Sequence, residues 1–162
     1  MKKEQAKYFP QTKEELKSLI EQRIKDEGNE VNLNDIDVSA ITDMSELFAY
    51  NSDFNGDISG WDVSGVTNMA FMFDGCKFFN CDLSGWDVSR VTNMCGMFEY
   101  CKSFNQDLSR WNVSNVLYME CMFLGCVSFD HDLSLWDVSN VESKTYMLYD
   151  CPMKGEYEPK FK

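Results

Sequence analysis

Histidine, glycine and basic charge are all scarce in this chain of 162 residues, and each shortage closes a class of function. One histidine, His131, with no paired nucleophile and no metal-ligand pair, leaves acid–base, acyl-transfer and zinc chemistry without their usual members. The nine glycines form neither a phosphate-cradling loop nor the Gly-rich nonapeptide of a calcium-binding β-roll. Lys and Arg number 15 against 27 Asp and Glu, for a formal charge of -12, so nucleic acid is excluded as a direct ligand, because phosphate binding needs a basic footprint. No apolar run approaches the ~20 residues of a membrane helix, and membrane insertion is not expected. The basic start Met1-Lys2-Lys3 has no apolar segment behind it, so no secretory signal is read there.

What is present is a core-forming composition, with 44% hydrophobic and 14% aromatic residues. The charge is unevenly placed. Residues 1–30 hold 7 basic and 7 acidic side chains, while residues 31–150 hold 5 and 18, so the acidity belongs to the second stretch. Seven cysteines cannot all pair within the chain, and a set of reduced thiols is the simplest reading.

The second stretch is a repeat. Trp61-Asp62-Val63-Ser64, Trp86-Asp87-Val88-Ser89 and Trp136-Asp137-Val138-Ser139 share one phrase, and Trp111-Asn112-Val113-Ser114 is an altered copy, all spaced by 25 residues. A fixed period of this length marks a repeat array. The units are 33–57, 58–82, 83–107, 108–132 and 133–151, after an N-terminal segment 1–32 and before a tail 152–162. Thr12 and Glu15 fit a capping box, and Leu16, Leu19, Ile20 and Ile24 recur at helical spacing up to Gly28, which predicts a capping helix over 13–27.

Within a unit, Trp86 and Val88 alternate with Asp87 and Ser89, as in a half-buried strand. Val91, Met94, Met97-Phe98 and Cys101 recur every three or four residues, as in a short helix or 3₁₀ turn. The expected fold is therefore α/β: a solenoid of about five coils, each a short strand plus a helical piece. About eight side chains per unit point inward, the large ones worth roughly 1.5–3 kcal/mol each before entropy. A five-residue β-helix is rejected, because steps of five from Phe79 land on Ser84, Ser89, Met94 and Glu99.

The pattern Met97-Phe98-x-x-Cys101-x-x-Phe104, then Leu108-x-x-Trp111-x-Val113-Ser114-x-Val116, resembles the BspA-type leucine-rich repeat surface proteins. More narrowly, it is similar to their 25-residue Trp-Asp-Val-Ser-x-Val-Thr-x-Met subclass, known from mycoplasma and other bacterial surface proteins. The resemblance runs over residues 33–151 and implies a leucine-rich-repeat-like solenoid, a non-enzymatic interaction role and a bacterial cell surface address. The reduced thiols leave a cytoplasmic address open as well.

Cys76, Cys101, Cys126 and Cys151 share one register and read as a ladder of structural thiols beside the core. Asp62, Asp87, Asn112 and Asp137 face outward beside a second row, Asp57, Asp82, Asp107 and Asp132. Calcium between coils is one reading of these rows; the favoured one is that Asp and Ser bind turn amides and keep an open face soluble. The positions just before each Trp differ, as Gly60, Gly85, Arg110 and Leu135. They are the candidates for choosing a partner, with Asp62, Asp87, Asn112 and Asp137 beside them. No enzyme activity, cofactor or metal is expected. The expected function is binding of a protein partner through this face, by a monomer. A structural spacer in an envelope assembly and an acidic nucleic-acid mimic are the alternatives.

Overall fold

A computed structural model describes residues 6–161. The signal-peptide reading at Met1-Lys2-Lys3 concerns residues outside that range. The predicted capping helix forms as α1, Lys13–Glu27. Thr12 accepts a hydrogen bond from the Glu15 amide at 3.1 Å, and the Glu15 carboxylate turns back to the Gln11 amide at 2.8 Å. Glu15 thus serves the residue before the cap, a small variation on the expected box. Gly28 closes the helix, its amide bonded to the Ile24 carbonyl. Leu16 and Ile20 are buried against the first repeat unit. Arg23 pins the helix from the side, through Asp35 at 2.9 Å and the Asn32 carbonyl at 2.9 Å, and pairs with Glu27 within the helix.

The expected α/β solenoid of strands and short helices does not form. Among the described residues the only helices are α1 and a three-residue 3₁₀ turn at Gly155–Tyr157, and no strand or sheet is present. Single-residue parallel bridges stand in their place, running Asp43–Asn68–Asn93–Tyr118–Ser143 in steps of one unit, with Asn32–Asp57 and Tyr8–Ile36 beside them.

Two local causes explain the correction. In Trp-Asp-Val-Ser the Trp and Val do point inward, but the Asp carboxylate captures the Ser amide two residues on, bending the chain before a ladder can extend. In the second half of the unit, turn bonds of the type Met72 N–H to Met69 carbonyl (3.2 Å) follow one another. They are separated by left-handed residues such as Phe71 (φ 56°) and Gly75 (φ 72°). A strand or a helix needs a run of negative φ, and these residues interrupt it twice per unit.

The units nevertheless stack in register. Amides of Met69, Phe71, Phe73 and Gly75 donate to carbonyls of Asn93, Cys95, Met97 and Glu99 at 2.7–2.9 Å, and the same set of bonds recurs between each pair of units. Inside, Phe48, Phe73, Phe98 and Phe123 form one column with ring centroids 5.4, 5.6 and 5.6 Å apart. Phe54, Phe79, Phe104 and Phe129 form a second, at 5.8, 6.0 and 5.9 Å. Each stacked pair adds roughly 0.5–1.5 kcal/mol to the gain from burial.

Candidate interaction face

Each Trp of the repeat phrase is buried and ties two units together. The indole N–H of Trp61 donates to the Leu33 carbonyl at 2.9 Å, Trp86 to Ile58 at 3.2 Å, Trp111 to Leu83 at 3.0 Å and Trp136 to Leu108 at 3.0 Å. The Trp column is therefore core, and the residues on either side of it form the outward face.

All eight candidate residues, Gly60, Asp62, Gly85, Asp87, Arg110, Asn112, Leu135 and Asp137, are exposed. The structure brings four of them together: Gly60, Asp62, Gly85 and Asp87 line a shallow depression of ≈ 400 Å³ over the first two copies of the phrase. Arg110, Asn112, Leu135 and Asp137 continue the same row outside that depression, and Leu135 is 89% exposed.

The carboxylates on this face have local work. Asp62 accepts from the Ser64 amide at 3.1 Å and its hydroxyl at 2.7 Å. Asn112 makes the same pair with Ser114, at 3.2 and 2.7 Å. An uncharged amide oxygen performs the turn as well as a carboxylate, so the turn needs an acceptor and not a charge. Asp87 repeats it with Ser89 at 3.0 Å and Asp137 with Ser139 at 3.1 Å. The row Asp57, Asp82, Asp107 and Asp132 holds Ser59, Ser84, Ser109 and Ser134 in the same way. Hydrogen bonds from the Ser89 hydroxyl and amide hold the Asp87 carboxyl below its usual range, against the opposing charge of Asp62. Among the described residues no three His, Cys, Asp or Glu side chains converge to hold a metal ion.

A family model described as "Mycoplasma protein of unknown function, DUF285" matches residues 14–113 and again residues 61–156. The chain belongs to this family. The match establishes a mycoplasma repeat family, without reaching the narrower Trp-Asp-Val-Ser subclass. No curated protein and no solved structure matches the chain. No helix among the described residues is long and apolar enough to cross a membrane.

The expected thiol ladder is present. Cys76, Cys101 and Cys126 are buried and donate to the carbonyls of Phe48, Phe73 and Phe98 at 3.1, 3.0 and 2.8 Å. Burial pushes the Cys76 thiol up to about 12. Cys151 leaves the pattern and donates to Phe129 at 3.3 Å. All seven cysteines are unpaired. The Asn row is a ladder too, each amide oxygen accepting the backbone N–H one unit on: Asn55 from Asn80, Asn80 from Asn105, Asn105 from Asp130, at 2.9–3.2 Å.

Sequence reasoning missed a second surface, at the left-handed positions of the units. Tyr50, Gly75, Tyr100, Gly125 and Asp150 occupy one column, and Glu46, Phe71, Gly96, Cys121 and Tyr146 the other. Tyr50, Phe71, Tyr100 and Tyr146 are exposed there. Asp74 lies beneath Tyr50; burial raises its pKa, with the Glu46 charge adding to the effect and a Tyr50 hydrogen bond opposing it. The alternation of aromatic and glycine at one period was the available signal.

Proposed function

We propose that this protein is a non-enzymatic protein-interaction module of a bacterial repeat protein, of the Trp-Asp-Val-Ser subclass, that binds a protein partner through the acidic face beside the Trp column. One observation carries the reading. The near-constant part of the face, Asp or Asn with Ser, is committed to turns, while the column before each Trp changes from Gly60 and Gly85 to Arg110 and Leu135 and stays exposed. The Gly60 amide is bonded to Asn34 Oδ1 at 2.8 Å, so selectivity can reside in the exposed side chains of Arg110 and Leu135. The acidic surroundings, residues 31–150 carrying 18 acidic against 5 basic side chains, favour a basic partner and accelerate its encounter more than they tighten the complex.

The test is capture of a partner by the immobilised chain, repeated with Arg110→Glu combined with Leu135→Asp. Loss of capture at unchanged melting temperature is expected. Undiminished capture removes this face from the reading, and the absence of any saturable partner favours a structural spacer instead.

A further inference from the structure

The bonds that join the units end on an open row of donors. Amides at four alternate residues of each unit donate to carbonyls of the next: Met44, Glu46, Phe48 and Tyr50 in the first, and Met119, Cys121, Phe123 and Gly125 in the fourth, all at 2.6–3.0 Å. The corresponding amides of the fifth unit belong to Lys144, Tyr146, Leu148 and Asp150, and none has an acceptor among the described residues. Lys144, Tyr146 and Asp150 are exposed and Leu148 is half-buried. The tail crosses the end of the core instead, with Met153 buried and the Lys144 ammonium 4.0 Å above the Phe161 ring. A row of unpaired amides at alternate residues is a template for another chain.

The aromatic and glycine columns say which chain fits. Wherever an aromatic residue occupies a left-handed position, the next unit has glycine at the same place: Tyr50 before Gly75, Phe71 before Gly96, Tyr100 before Gly125. Backbone conformation does not require these glycines, because Glu46, Phe71, Cys121 and Tyr146 adopt φ of 55–58° in the same column as Gly96 at 57°. The ring above requires two of them. A Cβ on Gly96 would overlap the Phe71 ring and one on Gly125 would come within 2.6 Å of Tyr100 Cδ1, whereas one on Gly75 would meet Tyr50 Cδ1 at 3.5 Å, in ordinary contact. Tyr146 is the one aromatic residue in these columns with no following unit over it.

We infer that the edge Lys144, Tyr146, Leu148, Asp150 docks a main-chain segment of a partner protein that presents carbonyls at alternate residues and a glycine opposite Tyr146. The segment continues the interface that already joins the five units, in the same register. A second copy of this chain does not fit, since its first unit would bring Glu46 against the Tyr146 ring. This edge is separate from the face beside the Trp column, so its failure leaves the function proposed above untouched.

Amide hydrogen exchange of the full chain, resolved by NMR, tests the inference with two capped synthetic probes. One is the segment Asn93–Tyr100, which carries Gly96 and fills the equivalent row beneath Phe71; the other is Asp43–Tyr50, which carries Glu46 at that place. In the free protein the four edge amides exchange fast beside protected Met119, Cys121, Phe123 and Gly125. Millimolar Asn93–Tyr100 slows the four by about fivefold or more, following the factor 1 + [L]/Kd, and Asp43–Tyr50 does not. The exposed substitution Tyr146→Ala, checked by melting, abolishes the difference between the probes. Edge amides already slow in the free protein, no slowing by Asn93–Tyr100, or equal slowing by both probes of the unaltered chain would each overturn it.

Discussion

Substituting Gly96→Ala tests the ring-over-glycine contact quantitatively. Three contributions act on it. Placing an L-residue at φ 57° costs roughly 1–2 kcal/mol. Stiffening the unfolded chain returns about 0.4–1 kcal/mol. The overlap of the new Cβ with the Phe71 ring costs about 1–3 kcal/mol, as overpacking does in close-packed sites. The net loss is about 3 kcal/mol, or roughly 6–12 °C in melting temperature for a domain of this size. Gly85→Ala is the reference: its Cβ meets nothing within 4 Å, so it falls within about 0.5 kcal/mol of the parent. The decisive measurement is a double-mutant cycle by urea denaturation with Phe71→Ala. Removing the ring removes the overlap, so the two substitutions couple by about 1–3 kcal/mol, with the double variant more stable than their sum. Additive effects would mean that glycine is present for its backbone, and the argument about Tyr146 would fall with it.

Two further expectations follow from the titratable groups. Hydrogen bonds from Ser39, Ser89 and Ser134, hydroxyl first and then amide, and from Ser109, amide first, hold Asp37, Asp87, Asp132 and Asp107 below their usual range. Their stabilisation is complete above the unfolded pKa of about 3.9 and is lost as pH falls through the folded values, so the melting temperature drops on acidification below about pH 4. Asp74 has the opposite sign: burial raises its pKa, its charge costs stability at neutral pH, and Asp74→Asn raises the melting temperature at pH 7 but not in acid. The seven cysteines divide in thiol labelling at neutral pH. Cys76, Cys101 and Cys126 label only on unfolding, whereas the half-buried Cys81, Cys95, Cys121 and Cys151 set an upper limit of four for the native chain.

The period of 25, the inward Leu, Trp, Val, Met and Phe positions, the thiol ladder and the helix over Lys13–Glu27 were all legible in the sequence. Each depends on spacing and polarity alone. A stacked array must put identical residues above one another, and a helix cap is a contact between near neighbours. The path of the chain within a unit was not legible in the same way. Trp86-Asp87-Val88-Ser89 has the polarity of a strand and Val91 to Cys101 that of a helix, but polarity records which way a side chain faces and not how the backbone turns it there. The Asp side chains take turn amides as the sequence suggested, but only the folded chain decided that these turns displace the strand, that Phe71 and Tyr146 adopt left-handed φ, and that neighbouring units meet through alternate amides without a sheet. Those choices are made largely between units, where the unit beside a left-handed residue such as Phe71 supplies the carbonyl its amide needs and leaves room for its ring. The sequence by itself determined what is stacked; the contact between units decided the shape of each turn and which edge remains open.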